Sequence, residues 1–155
     1  MPEEVTLKKM TFHCESNCLN GGADETMWVK PLPEGGDNNL YEIENSPFYM
    51  RNISYLDIVS AEILDGILLY KSTIKSGGHS TYRLLVRADS KLWDEWWHRL
   101  AVHGCTYEFG HHEGLILYAV DVPGNANIDE VYKILSEGEV EGAWVFEEGH
   151  FGHAK

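Results

Sequence analysis

A loop rich in hydrogen-bonding side chains separates two apolar, strand-like runs near the middle of this chain. It reads Ser76-Gly77-Gly78-His79-Ser80-Thr81-Tyr82-Arg83. A connection that only turned the chain would need the glycines and at most one polar side chain. The additional hydroxyl, imidazole and guanidinium groups can hold an anion or a polar ligand. We therefore predict a ligand-binding site made of Ser76, His79, Ser80, Arg83 and Asp57.

Arg83 and Asp57 allow two interpretations. Arg83 stands at the start of a predicted strand, and its guanidinium can bind a carboxylate through two parallel hydrogen bonds. If that carboxylate is Asp57, the pair is an internal clamp between the two halves of the chain. If it belongs to a ligand or a partner protein, Arg83 is part of a binding site.

A nucleophilic site is a third use of the same loop. Ser76 or Ser80 together with His79 and Asp57 would supply a nucleophile, a base and an orienting acid. Neighbouring Ser and His side chains diverge, however, and the chain has neither a G-x-S-x-G elbow nor a P-loop. We assign no catalytic residue, and the sequence favours a binding protein over an enzyme.

Two groups of side chains have the chemistry of metal ligands. They are Cys14 and Cys18 beside His13, and His111-His112-Glu113 with Glu108. Zinc sites prefer a C-x-x-C spacing, and a second cysteine pair is lacking. Adjacent histidines on a strand point to opposite faces, so both reach one ion only if the backbone turns there. We assign neither a metal nor a cofactor.

Acidic residues are concentrated in the last third of the chain. The formal net charge is −13, and residues 121–148 hold eight acids against a single base, Lys133. Such a field repels phosphate backbones, which argues against nucleic acid, and attracts a basic protein such as a toxin domain. The alternative is that the charge serves solubility alone. The predicted partner contacts are Glu137, Glu139, Glu141, Glu147 and Glu148.

The sequence predicts neither a membrane span nor secretion. No apolar run approaches the ~20 residues that a membrane helix needs. The acidic start, Met1-Pro2-Glu3-Glu4, lacks the basic and apolar regions of a secretory signal. Three cysteines, an odd number, argue for reduced thiols. We expect a soluble, cytoplasmic protein.

The first half of the chain predicts strands only. They are Thr6–Cys14, Thr26–Pro31, Leu40–Glu44, Ile58–Leu64 and Ile67–Ile74. Asp65-Gly66 joins the last two as a hairpin, since Asp-Gly supplies the positive φ angles of a type I′ turn. We predict a small curled sheet or partial barrel for this mostly-β part, residues 1–81.

Residues 82–155 predict the order strand, helix, strand, strand, helix, strand. One helix follows a possible cap at Asp89-Ser90; a second starts at Asn127 and stops at Gly138. Trp144-Val145-Phe146 is the closing strand. This order is that of a ferredoxin-like βαββαβ unit, so the class is α+β. Both parts are expected to form a single compact unit.

Three tryptophans lie on one face of the first predicted helix. Trp93, Trp96, Trp97 and Leu100 follow the helical spacing i, i+3, i+4 and i+7. They could form a stacking platform for a base or a sugar. Burial against the sheet explains the same spacing without a ligand, and we favour it.

The chain resembles a bacterial family catalogued as domain of unknown function 4265. The resemblance runs from about Phe12 to Phe146. Its motifs are Asn45-x-Pro47-Phe48, Asp57-x-Val59, Ser76-Gly77 with Ser80-Thr81-x-Arg83, Gly104-Cys105 and Val120-Asp121-Val122-Pro123, with Tyr41, Ile53 and Tyr55. The loop here carries one additional glycine. The resemblance implies a bacterial origin and a shared fold, and it implies no activity.

Three functional hypotheses follow. The first is a non-enzymatic acidic protein that binds a basic partner, in its most concrete form an immunity-type inhibitor of a toxin. The second is a small-ligand sensor built on the ferredoxin-like sheet, by analogy of fold. The third is a hydrolase or transferase that uses the 76–83 loop.

Overall fold

The structure, a computed structural model, describes residues 6–13, 24–33 and 39–154, without the side chain of His112. Nine strands and two helices form these parts of the chain. They are β1 Lys8–His13, β2 Asp24–Pro31, β3 Leu40–Ile43, β4 Ile58–Leu64, β5 Ile67–Lys75, β6 Ser80–Arg87, α1 Trp93–Ala101, β7 Thr106–His112, β8 Leu115–Val122, α2 Ile128–Val140 and β9 Val145–His150. The class is α+β, as the sequence predicts.

The first five strands form a closed barrel in the order β1-β2-β3-β4-β5. Neighbours are antiparallel, and a parallel bridge between Thr11 and Leu69 joins β1 to β5. Side chains that alternate along each strand fill the interior. The buried ones are Met10, Phe12, Met27, Val29, Tyr41, Ile43, Ile53, Val59 and Ala61. The prediction of a curled sheet is confirmed, and the sheet closes completely.

The β4–β5 hairpin forms as predicted. Asp65 and Gly66 have φ angles of 52° and 78°, the left-handed conformation that a two-residue turn requires. Leu64 pairs directly with Ile67 across that turn.

The remaining four strands form an antiparallel sheet in the order β7-β8-β6-β9. The helices pack on one face of it and share a core with alternate residues of β6 and β8. That core contains Tyr82, Leu84, Val86, Trp96, Leu100, Tyr118, Val120, Val122, Val131, Leu135 and Trp144. The opposite face carries polar side chains, including Thr81, Arg83 and Asp121. It faces the barrel.

Helix α2 begins as predicted and ends later. The side chain of Asn127 accepts hydrogen bonds from the backbone N–H of Asp129 and Glu130, which is the expected N-cap. Gly138 does not stop the helix, because it is buried inside it against the indole of Trp144. A side chain at 138 would overlap that ring. Gly142, with φ 86°, follows the helix instead.

Helix α1 is shorter than the sequence suggested. Asp89-Ser90 is not its N-cap; the Ser90 hydroxyl accepts from Leu92 N in the turn before the helix. Trp96 is buried, whereas Trp93 and Trp97 are partly buried and stack on each other. The described helices include none with the length and apolar character of a membrane span.

Strand β9 differs from the predicted closing strand. Trp144 precedes the strand, and its Nε1 donates to the carbonyl of Leu135 at 2.9 Å. Pairing with β6 then runs from Val145 to His150. The segment that follows is also held in place. Gly152 N donates to the Ser80 hydroxyl, and His153 forms hydrogen bonds with Ser80 and with the carbonyl of Pro123.

Candidate functional site

The connection between β3 and β4 lies across the polar face of the four-stranded sheet. Asn52 N donates to the carbonyl of Gly149 at 3.0 Å, and Ser46 N donates to the carboxylate of Glu108 at 2.8 Å. The Ser54 and Thr81 hydroxyls lie 2.6 Å apart. Residues 44–57 therefore form the seam between the barrel and the sheet. Most of the predicted site residues lie along this seam.

Arg83 is buried in the seam, where only 2% of the residue is exposed. Its Nη2 donates to the carbonyl of Met50, and its Nε lies 3.5 Å from Glu147. Arg51 approaches the same carboxylate at 3.3 Å. Burial lowers the pKa of Arg83, and the charge of Glu147 opposes that effect. Gly149 leaves the space that the guanidinium fills, since a Cβ there would overlap Nη1.

Of the two interpretations of Arg83, the clamp with Asp57 is not formed, although Arg83 does join the two halves. Asp57 is fully buried and accepts hydrogen bonds from two backbone groups, Ser54 N at 3.0 Å and Gly77 N at 2.8 Å. Its carboxylate thus fastens the start of the 76–83 loop to the barrel. A buried carboxylate satisfied by backbone donors has no need of a cation.

The nucleophilic set considered as an alternative, Ser76 or Ser80 with His79 and Asp57, is not brought together. Ser80 is fully buried; its hydroxyl accepts from Gly152 N and lies 2.6 Å from Nδ1 of His153. His153 Nε2 lies 2.9 Å from the carbonyl of Pro123. A carbonyl only accepts, so the hydrogen-bond pattern places the proton on Nε2 and leaves Nδ1 to accept from Ser80. The Ser76 hydroxyl accepts from Gly78 N.

His79 pairs with an acid that lies 42 positions away in the sequence. Its Nδ1 lies 2.8 and 2.9 Å from the two carboxylate oxygens of Asp121. The ring of Tyr55 contacts it edge-on, with centroids 5.5 Å apart. Within the described parts of the chain, His79 Nε2 makes no hydrogen bond, and it is not among the buried atoms that lack a partner. Burial raises the pKa of Asp121, and the hydrogen bond from His79 opposes this.

Asp121 also lines a cleft of about 300 Å³ at the seam. The residues around this cleft are Glu44, Asn45, Ser46, Tyr55, Thr106, Tyr107, Glu108 and Asp121. Three are carboxylic acids, and none is a lysine or an arginine. Burial raises the pKa of Glu44 and of Glu108. We refer to the concavity lined by these residues as the acidic cleft.

The five glutamates predicted to bind a partner do not form one surface. Glu147 points toward Arg83 and Arg51, whereas its neighbour Glu148 accepts from the hydroxyl of Tyr82 on the helical face. Glu139 accepts from Phe146 N. Glu137 and Glu141 line a second groove that also contains Arg99.

The two groups of side chains with the chemistry of metal ligands lie partly outside the described structure. Cys14 and Cys18 lie in an undescribed segment, and the side chain of His112 is also not described. Within the described residues, His, Cys, Asp and Glu side chains form no group of three or more that could hold a metal ion. Cys105 is a buried free thiol, and burial raises its pKa to about 12.

Comparison with known proteins identifies the family and the fold. Residues 25–146 match the family described as a domain of unknown function, DUF4265, and the chain belongs to that family. A crystal structure of a hypothetical protein from Neisseria gonorrhoeae is similar over 98% of this chain and 100% of that one, with 20% identity and a TM-score of 0.76. At that identity the likeness shows a common fold. No curated protein matches the chain.

Proposed function

We propose that this chain is a non-enzymatic binding protein that uses acidic groups to engage a basic partner. The observation that carries this function is the acidic cleft, where Glu44, Glu108 and Asp121 line one concavity without a lysine or an arginine. In this proposal the acidic cleft, rather than the five glutamates of residues 137–148, is the recognition surface. An immunity-type inhibitor of a basic toxin is the most concrete form of this function.

The electrostatics of the cleft favour a cationic occupant. Burial raises the pKa of each of the three carboxyl groups because it disfavours the charged form. A guanidinium or ammonium group that enters the cleft stabilises the carboxylates, so binding releases protons. Affinity for a cation should therefore rise with pH from the ordinary glutamate value of 4.5 upward.

Calorimetric titration with Nα-acetyl-arginine amide (below, arginine amide) and with its neutral isostere, Nα-acetyl-citrulline amide, tests this function. We expect the arginine probe to bind at least about tenfold more tightly, because a charge-assisted hydrogen bond contributes about 1.5–3 kcal/mol. Glu108→Gln should lower the affinity for arginine amide about tenfold and flatten its rise with pH. The matched control is Glu62→Gln, at an exposed position of the β4–β5 hairpin. Equal affinities for the two probes would exclude a cation site in the cleft.

The His79–Asp121 pair favours a second candidate, a hydrolase or transferase. A carboxylate that orients one imidazole nitrogen and leaves the other open is the arrangement of a general base. Since the nearby serine hydroxyls are engaged elsewhere, the nucleophile would be water in a hydrolase or the acceptor substrate in a transferase. Turnover of chromogenic ester or phosphoester substrates that disappears in His79→Gln, with unchanged circular dichroism, would support this candidate. Inactivity of the unmodified protein toward all of them would count against it.

We also infer a finer description of the fold and its context. The strand order β9-β6-β8-β7, with one helix after β6 and one after β8, supports a ferredoxin-like βαββαβ unit. Two separate cores support a boundary near residue 81 between the mostly-β part and this unit. The neighbour from Neisseria gonorrhoeae supports a bacterial origin, and the buried free thiol of Cys105 supports a cytoplasmic location.

A further inference from the structure

Strand β7 has an open edge in the part of the chain that the structure describes. It is the outer strand of the four-stranded sheet, and β8 is its one partner among the described strands. Among the described residues, no backbone–backbone hydrogen bond joins Thr106–His112 to any other segment. The opposite edge, β9, is partly capped, because Asn52 N donates to Gly149 and Phe146 N donates to Glu139. An open edge is a template for a further strand.

The two faces of β7 differ in chemistry. Tyr107 and Phe109 are 38% and 58% exposed, and both rings extend an aromatic group that includes Trp97. The intervening Glu108 points to the other face, where its carboxylate lines the acidic cleft together with Thr106. A strand added at this edge would therefore meet aromatic rings on one side and carboxylates on the other.

We propose that the β7 edge receives an extended segment of the basic partner as a fifth strand. Successive side chains of a strand point to opposite faces, so the segment must alternate between apolar and basic residues. Its apolar side chains would pack on Tyr107 and Phe109, and one lysine or arginine would reach the acidic cleft. This inference rests on the proposed function, and it names both the docking mode and the partner's sequence pattern.

Charge complementarity argues against a second copy of this chain as the occupant. Pairing two β7 edges would bring two acidic clefts together in molecules that each carry a formal charge of −13. Like charges across an interface are unfavourable, whereas a basic strand neutralises the cleft. A stable dimer formed through β7, seen by light scattering and not dissociated by any of the peptides, would overturn the proposal.

The experiment uses a synthetic peptide that alternates valine and arginine, with a shuffled control in which the arginines are grouped. Fluorescence anisotropy should show at least about tenfold tighter binding of the alternating peptide. Two further peptides carry N-methyl groups on every second backbone amide. One peptide is methylated at the odd-numbered amides and the other at the even-numbered amides, and we call these the two phases. Only one phase should abolish binding, because only half of a strand's amides face its neighbour. Hydrogen exchange should show protection of Thr106–His112 on binding.

A matched pair of variants tests the aromatic face. Phe109→Ser should weaken the alternating peptide several-fold, whereas Val145→Ser, at an exposed position of the other edge strand, should not. Equal loss from both N-methyl phases, or no protection of β7, would overturn strand addition. If arginine amide still bound in a manner that depends on Glu108, the proposed cation-binding function would stand even though strand addition at β7 did not.

Discussion

Replacing Arg83 by alanine should lower the free energy of unfolding by about 2–5 kcal/mol, the range for truncating a large buried side chain to alanine. Arg83 is the largest of the fully buried side chains. Its loss leaves a cavity, removes the donor to the carbonyl of Met50 and takes one of two cations from Glu147. All three consequences fall on the seam. Urea denaturation followed by tryptophan fluorescence measures the change.

Arg87→Ala is the matched control for this prediction. Arg87 lies on the same strand, and its ion pair with Asp89 is exposed, at 79% and 77% of the two side chains. Exposed pairs contribute about 0–1 kcal/mol, so this variant should be nearly as stable as the unmodified protein. A cost for Arg83→Ala no larger than that for Arg87→Ala would show that the buried guanidinium does not hold the two halves together.

The parts of the fold that the sequence predicts well are set by local chemistry. Asp65-Gly66 adopts a turn that few other residue pairs permit, and Asn127 supplies a cap within three residues of its partners. The end of α2 is predicted less well because it depends on a contact from outside the helix. Gly138 has the residue type of a helix stop, but the contact that accounts for it is with Trp144, from outside the helix.

The candidate site is built from contacts that a linear pattern does not contain. His79 and Asp121 are separated by 42 positions, Ser46 and Glu108 by 62, and Ser80 and His153 by 73. The polar side chains of the 76–83 loop are evident in the sequence, but their partners come from the seam and the C-terminal segment. Charge density along the sequence likewise placed the acidic surface at residues 137–148, where hydrogen bonds and ion pairs engage three of the five glutamates.

One buried acid did leave a signal in the sequence. Glu25 stands in phase with Met27 and Val29, the core-facing positions of β2. An acid at such a position needs a buried partner, and it finds three backbone donors. Phe48 N, Tyr49 N and Met50 N all donate to its carboxylate, at 2.7, 3.1 and 2.9 Å. Glu25 therefore shapes the seam from the barrel side, as Arg83 does from the sheet.

Glu25→Ala should lower the free energy of unfolding by about 2–4 kcal/mol, because three N–H groups lose a charged acceptor in a partly buried site. Glu25→Gln retains one acceptor oxygen and should cost less. Asp24→Ala, next to it on β2 and exposed, is the control and should cost little. Thermal and urea denaturation of the three variants measure the order of their losses in unfolding free energy. An equal loss for Glu25→Ala and Asp24→Ala would contradict this prediction.

The double variant Glu25→Ala/Arg83→Ala tests whether the two buried charges act on one structural unit. Glu25 holds the N–H groups of residues 48–50, and Arg83 holds the carbonyl of Met50. Once either side chain is removed, residues 48–50 are already less firmly held. Removing the second side chain should then lower the free energy of unfolding by less than it does in the otherwise unmodified protein. We expect a coupling free energy of about 0.5–3 kcal/mol between the two sites. Strict additivity of the two changes in unfolding free energy would mean that Glu25 and Arg83 hold residues 48–50 independently of each other.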